Sequence, residues 1–379
     1  MQFVVTSDLL TLLELYGSVG AFGERGRAGA SMAPPAVNFP GISEDLCKIA
    51  EANIDEAPAR RRVREAFKDI QLSIDHILFK VLSFALKEFC LCSCSSLPYS
   101  CTVVEFCLDA TLVQSPIDGM RIQESYFKIS RGLEIFTKSW LPATSPKGAV
   151  FYCHGYGDTC TFFAEGTARN LVLSGYGVYA MDYPGFGLSD GLHGYIPSFD
   201  TLVDDVIECF TKLREDATLQ SLPCFLFGQS MGGAVALKVH LKQPKAWTGA
   251  VLVAPMCKIA DSMVPPWPVK QVLTGMAYLL PKMKLVPQND IAAAGFRDLR
   301  KRELVSLPLL ILHGERDMVT DASVSKTLYE RAASSDKKII LYEECFHSLL
   351  EGEPDDVIGK VLKDIVVWLG EHCELGDKE

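Results

Sequence analysis

The sequence has no apolar run that could cross a bilayer, which takes about 20 consecutive apolar residues. The nearest candidate, HILFKVLSFALKEFCLC (76–92), is interrupted by Lys80, Lys87 and Glu88. The opening MQFVVTSDLLTLLELYGSVG lacks the basic start of a secretory signal and carries Asp8 and Glu14. We therefore expect a cytoplasmic protein without a transmembrane segment, and we leave peripheral membrane association open.

Positive charge is in deficit. The 37 Lys and Arg residues face 47 Asp and Glu residues, which gives a net charge of -10. Nucleic acids and anionic membrane surfaces are recognised through basic patches, so neither is expected as the principal partner. The main positive cluster, ARRRVR (59–64), lies among acidic residues, and we expect it to form a solvated helix face.

Metal-binding spacing is also missing. The chain has 13 cysteines, but the cluster of Cys90, Cys92 and Cys94 lacks the paired Cys-x2-Cys spacing of tetrahedral sites. Without a secretory signal the compartment is expected to be reducing, so the cysteines should be thiols that act as small hydrophobic residues. We predict no metal and no organic cofactor.

From about Gln123 onward, short β-rich apolar runs alternate with helical patterns, which is typical of a sheet with crossover helices. The first two runs are close enough to form a hairpin, and the later runs, separated by helices, are expected to be parallel. The predicted strands are YFKISR, LEIFTKSW, GAVFYC, GVYAMD, CFLF, GAVLVA, LLILH and KIILYE. We predict an α/β domain over residues 119–379 with a mostly parallel central sheet.

Two helices and two additions complete this picture. SFDTLVDDVIECFTKLRE has Ser198 as its N-cap, and PDDVIGKVLKDIVVWLGEH carries an apolar face near the C-terminus. The segment 256–304 is too long for a simple crossover and is rich in Met, Leu, Pro and Trp, so we predict a helical cap insert. Residues 1–118 form an N-terminal extension, with a helix over about 57–80 and an irregular Cys-rich segment over 81–117.

The pattern G-x-S-x-G occurs twice, as GQSMG around Ser230 and as GLSDG around Ser189. A nucleophilic serine in this pattern lies on a sharp turn from a strand to a helix. Ser230 has CFLF before it and GGAVALKVHL after it, whereas Ser189 is flanked by the loop-like YPGFG and LHGYIP. The context predicts Ser230 as the nucleophile and excludes Ser189.

A serine hydroxyl needs a base to take its proton, and the base needs a third group to orient it. Asp317 follows the strand LLILH, and His347 follows the strand KIILYE. The order Ser, Asp, His at the ends of successive parallel strands favours these two residues. Asp321 is the rival carboxylate, and His313 is interpreted as a structural turn residue.

A tetrahedral intermediate also needs two N–H donors aimed at its negatively charged oxygen. The N–H of Met231, directly after the nucleophile, is the first candidate. The second is the N–H of Tyr156 in HGYG (154–157), whose glycines allow the backbone to turn toward the serine. The alternative is that HGYG only ends a strand.

Six stretches together carry a family resemblance: HGYGDT, DYPGFGLSDGLHGY, GQSMGGAVAL, APMCKI, HGERDMVTD and FHSLLEGEPD. In them the chain resembles α/β-hydrolases of the monoacylglycerol lipase type, in particular the plant branch that includes caffeoylshikimate esterase and lysophospholipase-like proteins. The resemblance runs from Ser125 to about His372. It implies the α/β-hydrolase fold, a triad of Ser230, Asp317 and His347, and a cap that begins after APMCK.

These observations predict a serine hydrolase that cleaves a carboxylic ester through an acyl-enzyme. The lipophilic composition of the cap favours monoacylglycerol or lysophospholipid as substrate, with a phenolic ester such as caffeoylshikimate second and acyl transfer third. The candidate pocket walls, which could equally pack the cap onto the core, are Met263, Trp267, Met276, Leu279 and Leu280. A ligand receptor on a hydrolase fold is the alternative from a different class. An initial burst of product release followed by negligible steady-state turnover would favour it.

The plant members resemble the chain again from Met32 (MAPPAVNFPGISEDL) through IDHILFK, whereas residues 1–31 and 81–117 fall outside the resemblance. We interpret 81–117 as translated intron or mis-joined exon sequence, with Met32 as an alternative start. Transcripts spliced from about Lys80 to Asp118 would support this interpretation, and recovery of the peptide EFCLCSCSSLPYSCTVVEF from natural tissue would end it.

Overall fold

The computed structural model describes residues 55–66, 120–160, 163–257 and 305–375. The predicted cap lies outside these residues from position 258 onward, together with its five candidate pocket walls: Met263, Trp267, Met276, Leu279 and Leu280. Residues 1–31 and the Cys-rich segment 81–117 also lie outside them, so the hypotheses about both segments stay predictions.

An eight-stranded sheet forms the centre of the described domain, in the spatial order β1-β2-β4-β3-β5-β6-β7-β8. The strands are β1 Arg121–Lys128, β2 Glu134–Leu141, β3 Gly148–Cys153, β4 Tyr176–Met181, β5 Cys224–Gln229, β6 Gly249–Val253, β7 Leu309–Gly314 and β8 Lys337–Tyr342. β2 pairs antiparallel with β1 and β4, and every pair from β4 to β8 is parallel. The predicted hairpin and mostly parallel sheet are confirmed.

β1 begins at Arg121, earlier than the predicted start at Tyr126. Nearly all of its residues are exposed, because β1 is an edge strand that pairs only with β2. A strand in this position does not have to bury one face, so RIQES shows no alternation of apolar and polar residues that sequence analysis could detect.

Both faces of the central strands are covered, which explains why β3, β4, β6 and β7 are buried along their whole length. Successive side chains of a strand point to opposite faces, so Phe151 and Tyr152 enter different core clusters. Phe151 contacts Phe210 and Trp247, with ring centroids 5.2 Å apart in each pair. Each fully buried side chain of this size stabilises the fold by about 2–3 kcal/mol.

Six α-helices accompany the sheet within the described residues: α1 over 57–66, α2 Phe163–Leu173, α3 Phe199–Leu213, α4 Met231–Lys242, α5 Ala322–Arg331 and α6 Asp355–Leu375. Ser198 caps α3 as predicted, since its side chain accepts a hydrogen bond from the Thr201 N–H at 3.3 Å. The predicted apolar face of α6 is buried at Val361, Ile365 and Leu369. Among the helices described, none has the length and apolar character of a membrane span.

Among the arginines of α1 only Arg62 is exposed, so the cluster does not form the solvated face that the sequence suggested. Arg60 is buried, and its guanidinium donates to the carbonyl oxygens of Gly187 and, at 2.7 Å, Ser189. Arg61 donates to the carbonyl oxygen of Leu188, also at 2.7 Å. The expectation was wrong because a charged run does not show which distant loop supplies acceptors. Here the loop after β4 supplies them, and α1 is docked on it.

Buried thiols contribute to both core clusters. Cys153, Cys209 and Cys224 lie on one side of the sheet, and Cys160 and Cys345 lie on the other. Burial raises the pKa of the Cys153 thiol to about 12, which keeps it protonated at neutral pH. These cysteines therefore act as small hydrophobic side chains, as predicted.

Candidate active site

Ser230 lies on the turn between β5 and α4, and its backbone is strained. Its φ of 52° and ψ of -120° fall in a region that costs a non-glycine residue about 1–3 kcal/mol. Its N–H donates to the Val253 carbonyl oxygen at 3.0 Å, and its own carbonyl oxygen accepts from the N–H groups of Gly233 and Met256 at 3.0 and 2.9 Å. These bonds hold the turn at the carboxyl edge of the sheet.

Two glycines make this turn sterically feasible. A Cβ at Gly228 would lie 2.5 Å from the carbonyl oxygen of Gly232, and a Cβ at Gly232 would overlap the carbonyl group of Cys153. No larger residue fits at either position without moving the backbone. The glycines of GQSMG are therefore a packing requirement of the strand, turn and helix.

His347 connects the serine to a carboxylate. Its Nε2 lies 3.0 Å from Ser230 Oγ, and its Nδ1 lies 2.7 Å from Asp317 Oδ2. An ionised carboxylate only accepts, so Nδ1 carries the proton and Nε2 is left to accept one from the serine hydroxyl. The structure thus brings together Ser230, Asp317 and His347, the three residues that were selected from their order in the sequence.

The side chain of Asp317 is fully buried but surrounded by donors. Its Oδ1 accepts from the N–H groups of Val319 and Thr320 at 2.7 and 2.9 Å, and its Oδ2 accepts from the Thr320 hydroxyl at 2.7 Å. Burial alone would raise the pKa of Asp317, but hydrogen bonds from His313, His347 and Thr320 lower it well below its ordinary value. The carboxylate is therefore ionised at neutral pH and can stabilise a positive charge on His347.

His313, which the sequence analysis interpreted as a structural turn residue, touches the same carboxylate. Its Nε2 lies 3.1 Å from Asp317 Oδ2, and its Nδ1 lies 2.8 Å from Ser325 Oγ. Since the carboxylate only accepts, Nε2 carries the proton and Nδ1 accepts from the serine. One signal could have found this contact: His313 is the penultimate residue of β7 and stands four positions before Asp317.

The rival residues have structural positions. Asp321 caps α5, where its Oδ1 accepts from the Ser323 N–H at 2.9 Å. The hydroxyl of Ser189 is buried, donates to the Asp182 carbonyl oxygen at 2.6 Å and accepts from the Phe136 N–H at 2.9 Å. Ser189 therefore joins a loop to β2 and does not face the histidine.

The HGYG loop passes directly beside Ser230. A Cβ at Gly155 would lie 3.5 Å from the Cβ of Ser230. The Tyr156 hydroxyl donates to the Gly194 carbonyl oxygen at 2.9 Å, which anchors the side chain on the loop after β4. Met231 opens α4 right after the serine. The assignment of the Tyr156 and Met231 N–H groups as oxyanion donors stays a prediction.

His154 fixes the base of that loop. It is fully buried, its Nδ1 donates to the Gly155 carbonyl oxygen at 2.7 Å, and its Nε2 accepts from the Tyr183 N–H at 3.2 Å. Burial lowers the pKa of His154 from 6.5 to about 4. The imidazole is therefore neutral at physiological pH, which matches its one donor and one acceptor contact.

Candidate metal ligands are not clustered in the part of the chain that the structure describes. No group of three or more His, Cys, Asp or Glu residues there is arranged to hold an ion. Ser230, His347 and Asp317 instead form one hydrogen-bonded series at the carboxyl ends of β5, β7 and β8. A mostly parallel eight-stranded sheet with this series at its edge defines the α/β-hydrolase class.

Comparisons with known proteins agree with that class. The sequence matches the family described as serine aminopeptidase, S33, over residues 144–306 and 289–355. It is 33% identical over 291 residues to caffeoylshikimate esterase from Arabidopsis thaliana, covering 68% of this chain and 87% of the relative. It is 27% identical over 272 residues to human monoglyceride lipase, covering 64% of this chain and 88% of that protein. The chain therefore belongs to the serine aminopeptidase S33 family of α/β-hydrolases.

A solved structure supports the fold independently. The soluble variant of monoglyceride lipase from Saccharomyces cerevisiae superposes with a TM-score of 0.58, over 69% of this chain and 97% of that one. At 20% sequence identity this likeness concerns the fold alone. The family match and the two sequence relatives, caffeoylshikimate esterase and monoglyceride lipase, place the chain among the carboxylic ester hydrolases of this fold.

Proposed function

We propose that Ser230, His347 and Asp317 are the catalytic triad of this carboxylic ester hydrolase. One observation carries the proposal: His347 lies within hydrogen-bond distance of both other residues, at 3.0 Å from Ser230 Oγ and 2.7 Å from Asp317 Oδ2. His347 takes the hydroxyl proton while Ser230 Oγ attacks the ester carbonyl carbon, and the ionised Asp317 stabilises the resulting imidazolium.

The attack yields a tetrahedral intermediate with a negatively charged oxygen. The N–H groups of Met231 and Tyr156 are the proposed donors to that oxygen, and the loss of one such donor costs about 3–4 kcal/mol of transition-state stabilisation. The imidazolium of His347 then protonates the departing alcohol, which leaves an acyl group on Ser230. Water, deprotonated by His347, attacks this ester and regenerates the serine.

Monoacylglycerol or lysophospholipid is the proposed substrate class. The human and yeast relatives are named monoglyceride lipases, and the former is matched over 88% of its length. The composition of segment 256–304, rich in Met, Leu, Pro and Trp, suits a pocket for an acyl chain. Met263, Trp267, Met276, Leu279 and Leu280 are the proposed walls of that pocket.

A phenolic ester is the second candidate, and one observation favours it. The relative with 33% identity is named caffeoylshikimate esterase, a higher identity than the 27% shared with human monoglyceride lipase. Values of kcat/KM for monoacylglycerols, lysophospholipids and hydroxycinnamoyl esters decide between the two classes. A higher value for the hydroxycinnamoyl esters would replace the lipid proposal.

The two serines in G-x-S-x-G settings provide a matched pair for testing the triad. Ser230→Ala should abolish p-nitrophenyl ester turnover and fluorophosphonate labelling while circular dichroism stays unchanged. Ser189→Ala should keep both activities, because this hydroxyl only joins Asp182 and Phe136. Retained turnover in folded Ser230→Ala, or labelling mapped to Ser189, would reject the assignment.

A cytoplasmic location with peripheral membrane attachment is part of the same proposal. Its support is chemical, since monoacylglycerols and lysophospholipids partition into bilayers. Flotation with phosphatidylcholine vesicles measures the attachment directly. Protein that stays entirely in the vesicle-free fraction, with and without substrate lipid, would remove attachment from the proposal without affecting the triad.

A further inference from the structure

Gln229, the residue before the proposed nucleophile, is held in one orientation. Its Oε1 accepts a hydrogen bond from the Tyr152 hydroxyl at 2.6 Å. Tyr152 is buried on the neighbouring strand β3, and its ring stacks on Phe227 with centroids 5.1 Å apart. Because a phenol at this position donates, the amide oxygen of Gln229 faces Tyr152 and its NH2 group points the other way.

That NH2 group reaches the loop that carries His347. Gln229 Nε2 lies 2.7 Å and 2.9 Å from the two carboxylate oxygens of Glu351. Glu351 belongs to the turn after His347, where the N–H groups of Glu351 and Gly352 donate to the Ser348 carbonyl oxygen at 3.2 and 2.8 Å. Glu351 is therefore connected to the histidine through a short, hydrogen-bonded segment.

The two residues thus join the strand that presents Ser230 to the loop that presents His347. β5 and β8 are not neighbours in the sheet, since β6 and β7 lie between them. No backbone pairing between these two strands sets the distance from serine to histidine. The side-chain bridge from Gln229 to Glu351 links the same two segments of the chain as the hydrogen bond between His347 and Ser230.

We propose that Gln229 and Glu351 are positioning residues that hold His347 at hydrogen-bond distance from Ser230. The inference rests on the proposed triad and assigns no contact with substrate to either residue. A misplacement of catalytic groups by about 1 Å can cost about 100-fold in rate. Loss of the bridge should therefore slow the chemical step and leave binding of the ester little changed.

The electrostatic surroundings of Glu351 fit this role. Burial raises the pKa of Glu351, while the Gln229 amide and a charged His347 oppose the rise. Asp158, in the loop after β3, is a second carboxyl group near this one, and burial raises the pKa of Asp158 to about 7. The amide of Gln229 supplies the carboxylate of Glu351 with hydrogen-bond donors in a site that otherwise disfavours negative charge.

Truncation gives the first test, with p-nitrophenyl butyrate as substrate. Glu351→Ala should lower kcat and the rate constant of fluorophosphonate labelling by about 10- to 100-fold, with KM changed by less than about 3-fold. Glu351→Gln can still accept one bond from Gln229 and should fall between Glu351→Ala and the wild type. The surface variant Glu343→Ala removes a nearby carboxylate of the same loop region and should match the wild type.

A charge swap separates positioning from a general packing role. Gln229→Glu places two carboxylates opposite each other and should be among the slowest variants. Gln229→Glu/Glu351→Gln restores a donor opposite an acceptor, with the Tyr152 hydroxyl still able to donate, and should recover at least about 10-fold in kcat over Gln229→Glu.

Four results would overturn the positioning role. Wild-type kcat in folded Glu351→Ala, or a double variant no faster than Gln229→Glu, overturns the positioning role while the triad stands. Equal losses in kcat and in folded fraction would also overturn it, because they indicate a merely structural role. Failure of the wild type to be labelled at Ser230 overturns the proposed function, and this inference with it.

Discussion

The Nε2 atom of His313 lies 3.1 Å from Oδ2 of Asp317, and both side chains are fully buried. The same carboxylate oxygen accepts from His347 and Thr320, each at 2.7 Å. Asp317 therefore stays ionised in a buried position because several donors replace the water that burial removes. The proposed triad depends on this second set of contacts as well as on its own three residues.

His313 should matter for both stability and rate. His313→Leu removes one donor from Asp317 and one acceptor from Ser325, so we expect a loss of about 1–3 kcal/mol in the free energy of unfolding. Asp317 keeps its other donors, so kcat should fall by no more than about 10-fold. His313→Gln can still donate and should recover part of each loss. Urea unfolding measures the loss of stability, and steady-state kinetics measures the loss of kcat. Wild-type values of both for His313→Leu would contradict the role of His313 as a donor to Asp317.

Glycine substitutions test the packing of the serine turn. Gly232→Ala places a methyl group on the Cys153 carbonyl, so the backbone beside Ser230 must shift, at a cost of about 3 kcal/mol or more. Gly359→Ala in α6 is the matched control, because a Cβ there meets nothing within 4 Å. An exposed helical alanine should stabilise the protein by up to about 1 kcal/mol. The midpoint temperature of thermal unfolding should therefore fall for Gly232→Ala and rise for Gly359→Ala. Equal shifts in the two variants would contradict the predicted clash at Gly232.

Acid should destabilise the protein through His154. The folded state lowers the pKa of His154 from 6.5 to about 4, so between these values the unfolded chain binds a proton that the folded protein excludes. Stability from this group is complete above pH 6.5 and is lost as the pH falls toward 4, by about 2 kcal/mol at pH 4.5. His154→Gln does not titrate, so its unfolding free energy should fall less than that of the wild type between pH 7 and 4.5. If urea unfolding gives the same loss of unfolding free energy for the wild type and His154→Gln, His154 is not the source of the acid sensitivity.

The docking of α1 can be tested with neighbouring arginines. Arg60→Ala removes the buried donor to the carbonyl oxygens of Gly187 and Ser189 and should cost about 3 kcal/mol of stability. Arg62 is exposed on the same helix, and Arg62→Ala should change stability by no more than about 0.5 kcal/mol. Urea midpoints followed by tryptophan fluorescence give both values. Equal midpoints for the two variants would show that α1 adds little to the fold.

Sequence patterns predicted most of the sheet because its strands are buried on both faces. GAVFYC and GAVLVA are continuous apolar runs, and both became central strands. RIQES was missed since an exposed edge strand has no such pattern, and the role of ARRRVR was misjudged because its acceptors lie more than a hundred residues away. Periodicity reports burial, and it carries no information about polar partners that are distant in the chain.

The sequence by itself determined the chemistry of the candidate site. A serine between a strand and a helix, followed by an aspartate and a histidine after later strands, has few arrangements other than a triad at one sheet edge. Only the tertiary structure decided which side chains support this site: His313 donates to Asp317, and Gln229 bridges to Glu351. Such contacts depend on the angles and separations of packed strands. The distance between donor and acceptor in a hydrogen bond can vary by only a few tenths of an ångström.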